Sequence, residues 1–286
     1  MPMSELLSFR DLWDFQNPEE SERRFRSLSE EITDLDTGLQ LQTQMARALG
    51  LQQKFEVAHS VLDEVEIRVT EVTAVGRLLY LLERGRLLNS GGEPEHARPL
   101  FEEAWTFARS IHQDDLAIDA AHMVAIVAVG DERQHWNGLA LELAENSDDE
   151  DARRWLGSLY NNMGWDAHDA GRHDEALALL DKAWAWHRER STGWGERVAK
   201  WSVAKQLRFL DRGDEALAMQ LELLDTYRHD DPGGDGFVHE EIGELLLAKG
   251  EGEAARPHFS AAFELLSSIE WMKAERLQRL ERLAGL

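Results

Sequence analysis

Cysteine is absent from this 286-residue sequence. Its absence excludes disulfide bonds, thiolate nucleophiles and zinc sites built on cysteine. Proline is scarce, at 6 residues, and most of the 21 glycines stand at turn-like positions. Because proline interrupts the interior of helices, this composition favours a largely helical chain.

Positive charge and long apolar runs are also scarce. The sequence has 31 Lys and Arg against 55 Asp and Glu, a net charge of −24. Nucleic acids and anionic membranes reward clustered Lys and Arg, so we expect neither as a partner. No apolar run reaches the about 18 residues of a transmembrane helix, and the N-terminal segment lacks the apolar core of a secretion signal. We therefore expect a cytoplasmic protein with a solvated acidic surface.

The stretch from Trp155 to Trp186 has the pattern of a helical hairpin. Apolar residues recur at helical spacing on both sides of Gly171, and side chains at these spacings share one face of a helix. The two sets are Leu159, Met163 and Ala167 before the glycine, and Ala176, Leu180 and Ala183 after it. Glycine reaches the left-handed conformation freely, so Gly171 is suited to end the first helix.

The second helix of this hairpin recurs along the chain. We take Ala176 as the reference position of this helix and call it the anchor. Equivalent helices are found where the same spacing of apolar and small residues recurs. The anchors are Ala58, Ala97, Trp136, Ala176, Ala216 and Ala255, at intervals of 39, 39, 40, 40 and 39 residues. The unit of Trp136 is degenerate, since a bulky residue stands where the others have alanine, and we expect a kink or a modified joint there.

Three of the units share small residues in the first helix and turn, then a large apolar residue and an alanine in the second helix. These residues are Gly85, Gly92, Phe101 and Ala104; Gly164, Gly171, Leu180 and Ala183; and Gly243, Gly250, Phe259 and Ala262. The units resemble the tetratricopeptide repeat (TPR), in a longer form similar to the repeats of kinesin light chains and of bacterial peptide-sensing regulators.

The resemblance implies an all-α fold: a right-handed superhelical solenoid of antiparallel helix pairs with a C-terminal capping helix. We expect one solenoid domain over residues 1–286. It comprises a degenerate N-terminal helix pair at 1–37 whose first helix is Ser4 to Phe15, six repeats at 38–268, and a capping helix at 269–286.

The resemblance also implies a concave groove lined by the first helix of each repeat. The predicted ligand-binding residues are Arg47, Arg86, Asn89, Asn161, Asn162, Trp165, His168, Trp201, Lys205 and Arg208. Asparagine amides suit a peptide backbone, and tryptophans suit binding anchors. The cations suggest an acidic segment or a C-terminal carboxylate as ligand, while Glu240, Glu241 and Glu244 would make the far end of the groove negative.

The predicted function is a noncatalytic protein- or peptide-binding scaffold, bacterial, without cofactor or metal, and a monomer or weak homodimer. One alternative is a regulatory protein that self-associates. Another is a metal-dependent enzyme with a site on His168, Asp169 and Glu83, although the motifs GxSxG, GxGxxG and HExxH are absent. A purely structural role, as solvated polar faces and packing aromatics, is the alternative for each predicted groove residue.

Overall fold

The computed structural model describes residues 9–69, 73–230 and 235–286, apart from the side chains of Arg10 and of residues 228–230. Every regular element in these ranges is a helix, which confirms the all-α fold class. None of the helices described is both long and apolar enough to cross a membrane. The chain divides into two compact units, unit 1 (Met1–Trp155) and unit 2 (Leu156–Leu286), and the single domain over 1–286 stays a prediction.

Each unit is a series of helix pairs in which successive helices pack together. Unit 1 contains a 3₁₀ helix at Phe9–Leu12 and the helices α1 (Pro18–Glu31), α2 (Leu35–Leu51), α3 (Phe55–Arg68), α4 (Ala74–Ser90), α5 (Pro94–Ser110), α6 (Asp114–Val127), α7 (Asp131–Asn146) and α8 (Glu150–Arg153). Unit 2 contains α9 (Leu156–Asp169), α10 (His173–Glu189), α11 (Trp194–Phe209), α12 (Gly213–Asp230), α13 (Gly236–Ala248), α14 (Gly252–Leu266) and α15 (Ala274–Ala284).

The predicted anchors lie in the second helix of each pair, and the five alanines are buried. Their exposed fractions are 0% for Ala58, Ala97, Ala176 and Ala216 and 1% for Ala255. Gly171 takes the left-handed conformation with φ of 73°, as predicted for the turn between α9 and α10. The capping helix α15 packs on α14 and buries Leu280, so the last pair of helices is covered.

Glycines in the first helices let the large residue of the second helix approach. A Cβ atom at Gly164 would lie 2.7 Å from Leu180 Cγ, and one at Gly243 would lie 2.7 Å from Phe259 Cε1. Both distances are shorter than carbon atoms tolerate, so only glycine fits. The small-and-large pairing that the sequence predicts is therefore a close contact between helices.

The N-terminal segment contains the helix α1 after a shorter 3₁₀ helix. Ser21 and Phe25 of α1 are fully buried. Of the predicted helix at residues 4–15, residues 4–8 lie outside the described ranges and Phe9–Leu12 form a 3₁₀ helix. The Asp14 carboxylate accepts hydrogen bonds from the backbone N–H groups of Gln16 (3.0 Å) and Asn17 (3.2 Å), and such local bonds compete with a continuing helix.

The anchor predicted at Trp136 is wrong in register. The buried residues of α7 are Asn137, Ala140 and Ala144. Trp136 is half-buried and packs edge-on against Trp105, with ring centroids 5.8 Å apart. When Asn137, Ala140 and Ala144 are aligned with the buried residues Phe101, Ala104 and Ala108 of α5, the anchor position falls on Arg133. The guanidinium of Arg133 donates to the carbonyl oxygen of Ala128 at 3.1 and 3.2 Å. A uniform period misplaced this position because α6 has 14 residues where α4 has 17, so the anchor position of α7 comes three residues early.

One core position of unit 2 holds an unsatisfied amide. Gln220 of α12 follows its anchor by four residues, as Phe101 and Leu180 follow theirs. Its side chain is fully buried, and neither Oε1 nor Nε2 has a hydrogen-bond partner among the described residues. Burial of an unpaired amide is unfavourable, so this position weakens the core of unit 2.

Gly85→Ala should lower the free energy of unfolding by about 1–3 kcal/mol, because overpacked cores must shift to relieve the clash. A Cβ atom there would lie 2.8 Å from Phe101 Cδ1. The control is Gly138→Ala in α7, where nothing lies within 4 Å of the added atom. Urea denaturation should show the control raising stability by about 0.5–1 kcal/mol through helix propensity. A stabilising Gly85→Ala change would refute the close contact.

Gln220→Leu should raise the free energy of unfolding by about 1–2 kcal/mol, because it removes an unpaired buried amide. The control is Gln44→Leu, since Gln44 is also buried but its Oε1 accepts a bond from Trp13 Nε1 at 3.0 Å. Thermal and urea denaturation should show stabilisation for the first change and destabilisation for the second. Equal effects would mean that Gln220 has partners.

Candidate functional site

The predicted groove residues fall into both units. Arg47 on α2 and Arg86 and Asn89 on α4 belong to unit 1. The remaining seven belong to unit 2: Asn161, Asn162, Trp165 and His168 on α9, and Trp201, Lys205 and Arg208 on α11. All ten lie on the first helices of their pairs, and each unit presents its own group.

The cations of unit 1 are engaged by carboxylates on their own helix or on the next first helix. Arg86 Nη1 donates to Glu83 Oε1 and Nη2 to Asp119 Oδ1, each at 2.5 Å. Arg47 Nη1 lies 3.7 Å from Glu83 Oε1 and its guanidinium lies 5.5 Å from the centroid of the Trp13 ring. Asn89 lies half-buried in the last turn of α4.

In the unit 1 group, the positive charges of Arg47 and Arg86 are balanced by the negative charges of Glu83 and Asp119. Burial would raise the pKa of Asp119, but Arg86 and Arg47 outweigh it and hold that pKa below its usual range. Burial would likewise lower the pKa of Arg86, but Asp119 and Glu83 raise it. Two guanidinium groups therefore face two carboxylates, and the group has no surplus positive charge for an acidic ligand.

In unit 2, four aromatic rings form a continuous row, which we call the aromatic stripe: Trp165, Trp201, Phe237 and Trp271. Adjacent ring centroids are 5.8 Å apart for the first pair, 6.1 Å for the second and 6.2 Å for the third. The rings come from α9, α11, α13 and the segment before α15, so the stripe crosses the helices of unit 2. Trp165 and Trp201 of the predicted set are neighbours in the stripe, and Phe237 and Trp271 lie outside that set.

Two cations beside the stripe share one carboxylate. Lys205 Nζ lies 3.0 Å from Glu241 Oε1, and Arg208 Nε donates to Glu241 Oε2 at 2.7 Å. Burial would raise the pKa of Glu241, but Lys205 and Arg208 outweigh it and lower that pKa. Lys205 Nζ also lies 4.9 Å from the centroid of the Trp201 ring. This group therefore has one positive charge more than the carboxylate can neutralise.

The expected negative end of the groove is wrong, because each carboxylate on α13 is paired with a cation. Glu241 pairs with α11 as described. Glu240 accepts from Arg276 Nε at 3.0 Å, and Glu244 accepts from Arg279 Nη2 at 3.0 Å. Arg276 and Arg279 of α15 thus neutralise Glu240 and Glu244, which the sequence analysis treats as unpaired negative charges.

The polar residues of α9 contact each other or the next first helix. Asn161 Nδ2 donates to Asn162 Oδ1 at 3.4 Å, and both side chains are half-buried. His168 Nδ1 lies 3.0 Å from Gln206 Oε1, and its ring lies 5.1 Å from that of Trp165. His173, which the sequence places across the turn, lies 3.3 Å from the same Gln206 oxygen. The imidazoles therefore share an amide oxygen.

The metal-site hypothesis receives no geometric support from the described residues. Glu83 belongs to unit 1, whereas His168 and Asp169 belong to unit 2. Within the described ranges, no three His, Asp or Glu side chains come together in a way that would hold a metal ion.

Sequence reasoning found the cations but missed their partners. The pairs Arg47–Glu83, Arg86–Asp119 and Lys205–Glu241 join residues separated by 36, 33 and 36 positions. A cation followed by an acid about one repeat later is a detectable signal, because corresponding faces of successive first helices adjoin. Trp271 gave no such signal, since it precedes a helix rather than lying inside the repeat.

Glu241→Gln should destabilise the protein at neutral pH by about 2 kcal/mol, because it leaves two partly buried cations without a counter-charge. The folded-state pKa of Glu241 is lowered, so its contribution is present above its unfolded pKa of about 4.3 and is lost as the pH falls through the folded-state pKa. Unfolding curves against pH should therefore show a smaller acid-induced loss in the variant than in the wild type.

The matched control is Glu215→Gln, which breaks an exposed pair with Arg212 and should change stability little. If both variants lose stability equally on acidification, the shared carboxylate does not stabilise unit 2.

Comparisons with known proteins agree with the helix-pair architecture. Residues 156–190 match the sequence model of the family described as tetratricopeptide repeat. Curated protein sequences gave no match. The solved structure of NprR in complex with its cognate peptide NprX is 15% identical and aligns over 97% of this chain and 80% of that chain, with a TM-score of 0.51.

Two further structures have similar coverage. BtubC (BKLC) from P. vanneervenii is 12% identical over 93% of this chain and 94% of that chain, with a TM-score of 0.52. A tetratricopeptide repeat protein from Parabacteroides merdae is 14% identical over 99% and 97%, with a TM-score of 0.48. The resemblance to the TPR family is therefore confirmed, by sequence over residues 156–190 and by an all-α, TPR-like fold of helix pairs in the chain.

Proposed function

We propose that unit 2 is a noncatalytic binding surface for a peptide or protein segment that carries an acidic group or a C-terminal carboxylate. The observation that supports this proposal most directly is the aromatic stripe with surplus positive charge beside it. The stripe provides contact area, and the charge selects the ligand. The predicted cytoplasmic location and monomeric or weakly dimeric state stay predictions.

The aromatic stripe has the properties of a binding anchor. Large rings with few rotatable bonds lose little entropy on binding and give much contact area. Trp271 is 71% exposed, and Trp165, Trp201 and Phe237 are half-buried. A ligand lying along the row would cover apolar surface that the chain leaves in water.

Charge favours an acidic ligand at one end of this surface. Lys205 and Arg208 hold one carboxylate between them, and their side chains stay 17% and 25% exposed. A ligand carboxylate can share their remaining hydrogen-bond donors. Asn161 and Asn162 supply amide donors and acceptors that suit an extended backbone.

We choose unit 2 over unit 1 because its two cations face one carboxylate, whereas the two cations of unit 1 face two. Arg47 and Arg86 are balanced by Glu83 and Asp119, so the proposal assigns them to the stability of unit 1. The fold offers general support, since NprR, which has a similar fold, binds its peptide NprX. The specific residues rest on this chain's own geometry.

Panning a random peptide display library against the full chain should enrich peptides rich in Asp and Glu or ending in a free carboxylate. For an enriched peptide, Lys205→Gln should weaken binding about tenfold in fluorescence anisotropy, because one of two cations facing the ligand is lost.

The matched control is Lys249→Gln, which removes the same charge from a lysine paired with Asp214 and should leave the affinity within about twofold. Enrichment of basic peptides, or equal weakening by both substitutions, would reject the proposed surface.

A further inference from the structure

Unit 2 contains an aromatic pocket of about 270 Å³ where α11 and α13 begin. We call it the rim pocket. Four rings line it, together with two valines and one acid: Trp194, Trp201, Tyr227, Phe237, Val198, Val238 and Asp235. Trp201 and Phe237 also belong to the aromatic stripe, so the pocket adjoins the proposed binding surface.

Polar groups of the rim pocket are already engaged within the chain. Trp201 Nε1 donates to the carbonyl oxygen of Phe237 at 3.2 Å. The Asp235 carboxylate accepts from the backbone N–H groups of Phe237 at 2.7 Å and Val238 at 3.3 Å, which caps α13. Burial and the nearby Asp235 raise the pKa of Tyr227 to about 12, so its hydroxyl keeps its proton. The pocket therefore presents mainly apolar surface.

Cations already lie over two of the pocket's rings. Arg197 Cζ lies 4.9 Å from the centroid of Tyr227, and Lys205 Nζ lies 4.9 Å from the centroid of Trp201. Aromatic rings attract ammonium groups, but a further cation in the pocket would be repelled by Arg197 and Lys205. The Asp235 carboxylate already accepts hydrogen bonds from the first backbone N–H groups of α13. The surroundings thus favour an uncharged group with acidic neighbours over an ammonium group.

We propose that the rim pocket binds a large apolar side chain, of the phenylalanine or leucine class, of the acidic segment that the proposed function places on unit 2. This inference rests on that function and adds an anchor to it. The cations near the pocket disfavour a charged ammonium group there, so the occupant is an apolar side chain. Lys205 and Arg208 then favour carboxylates in the adjoining residues of the ligand.

The helix geometry sets the spacing between the two features of the ligand. Lys205 and Arg208 follow Trp201 by four and seven residues on α11, which corresponds to about 6–10 Å along the helix axis. An extended peptide advances about 3.3 Å per residue. The acidic residues should therefore stand about two to three positions from the apolar residue.

The test uses three hexapeptides with blocked ends, titrated into the full chain by calorimetry. GFGEEG has the proposed spacing, GAGEEG lacks the apolar side chain, and GFGKKG reverses the charge. The first should bind about tenfold more tightly than the second, since burying a phenylalanine is worth at least one factor of ten, and GFGKKG should bind more weakly than either.

Trp194→Ala should reduce the ratio between GFGEEG and GAGEEG to about twofold or less without weakening GAGEEG, because only the pocket loses a wall. Trp194 is 70% exposed, so its removal leaves the core intact. The control is Phe15→Ala in unit 1, an aromatic residue that is 56% exposed and outside both the pocket lining and the aromatic stripe, which should preserve the ratio.

The two proposals fail in different ways. Equal binding of GFGEEG and GAGEEG to the wild type, or a ratio unchanged by Trp194→Ala, overturns the rim pocket and leaves the acidic-ligand surface standing. Tighter binding of GFGKKG, or no binding of the acidic peptides, overturns the proposed function and the pocket inference with it.

Discussion

The close approach of paired helices is the constraint on which the rest of the structure depends. A glycine in the first helix accepts the large side chain of the second, as Gly164 accepts Leu180 and Gly243 accepts Phe259. This contact fixes which faces of the two helices meet. Other faces of each first helix are consequently available to its neighbours in the series, and three rings of the aromatic stripe and the Lys205–Glu241 pair lie on these helices.

Charge pairs between successive first helices add a second layer to this arrangement. Arg86 with Asp119 and Lys205 with Glu241 join neighbouring pairs in the same way. Partly buried pairs are worth little in net stability but costly to break, so they favour one register of neighbouring helices over others. The difference between the units is that Arg208 adds an extra cation beside Glu241, whereas unit 1 stays balanced. In unit 2, the charge pairs that join neighbouring helices therefore leave one uncompensated positive charge that a ligand can bind.

The repeat was predictable because packing restricts few positions tightly. Alanine and glycine at close contacts recur with the period, so Ala97 and Ala255 identify their helices without a structure. The anchor predicted at Trp136 was wrong because α6 is three residues shorter than α4, which shifts the register of α7 against a uniform period. The 3₁₀ helix at Phe9–Leu12 was missed because local bonds of Asp14, not periodicity, determine it.

The candidate site was only partly predictable for a related reason. Residue type suggested that Lys205 and Arg208 were available cations, but availability depends on partners a repeat away, such as Glu241. The rim pocket combines residues from three helices and the residue before α13, none of which forms a motif by itself. Such sites follow from the packing of several pairs, which one sequence specifies only indirectly.

The net charge of the chain limits how an acidic ligand can be recognised. At −24 the chain repels an acidic segment at long range, although salt screens this repulsion beyond about 8 Å under physiological conditions. Attraction by Lys205 and Arg208 therefore acts mainly at contact and is weakened by Glu241. Apolar burial is unaffected by either charge, since it scales with the area removed from water. For an acidic ligand on unit 2, the aromatic surface consequently has to supply most of the affinity, and the two cations mainly determine which apolar segments are accepted.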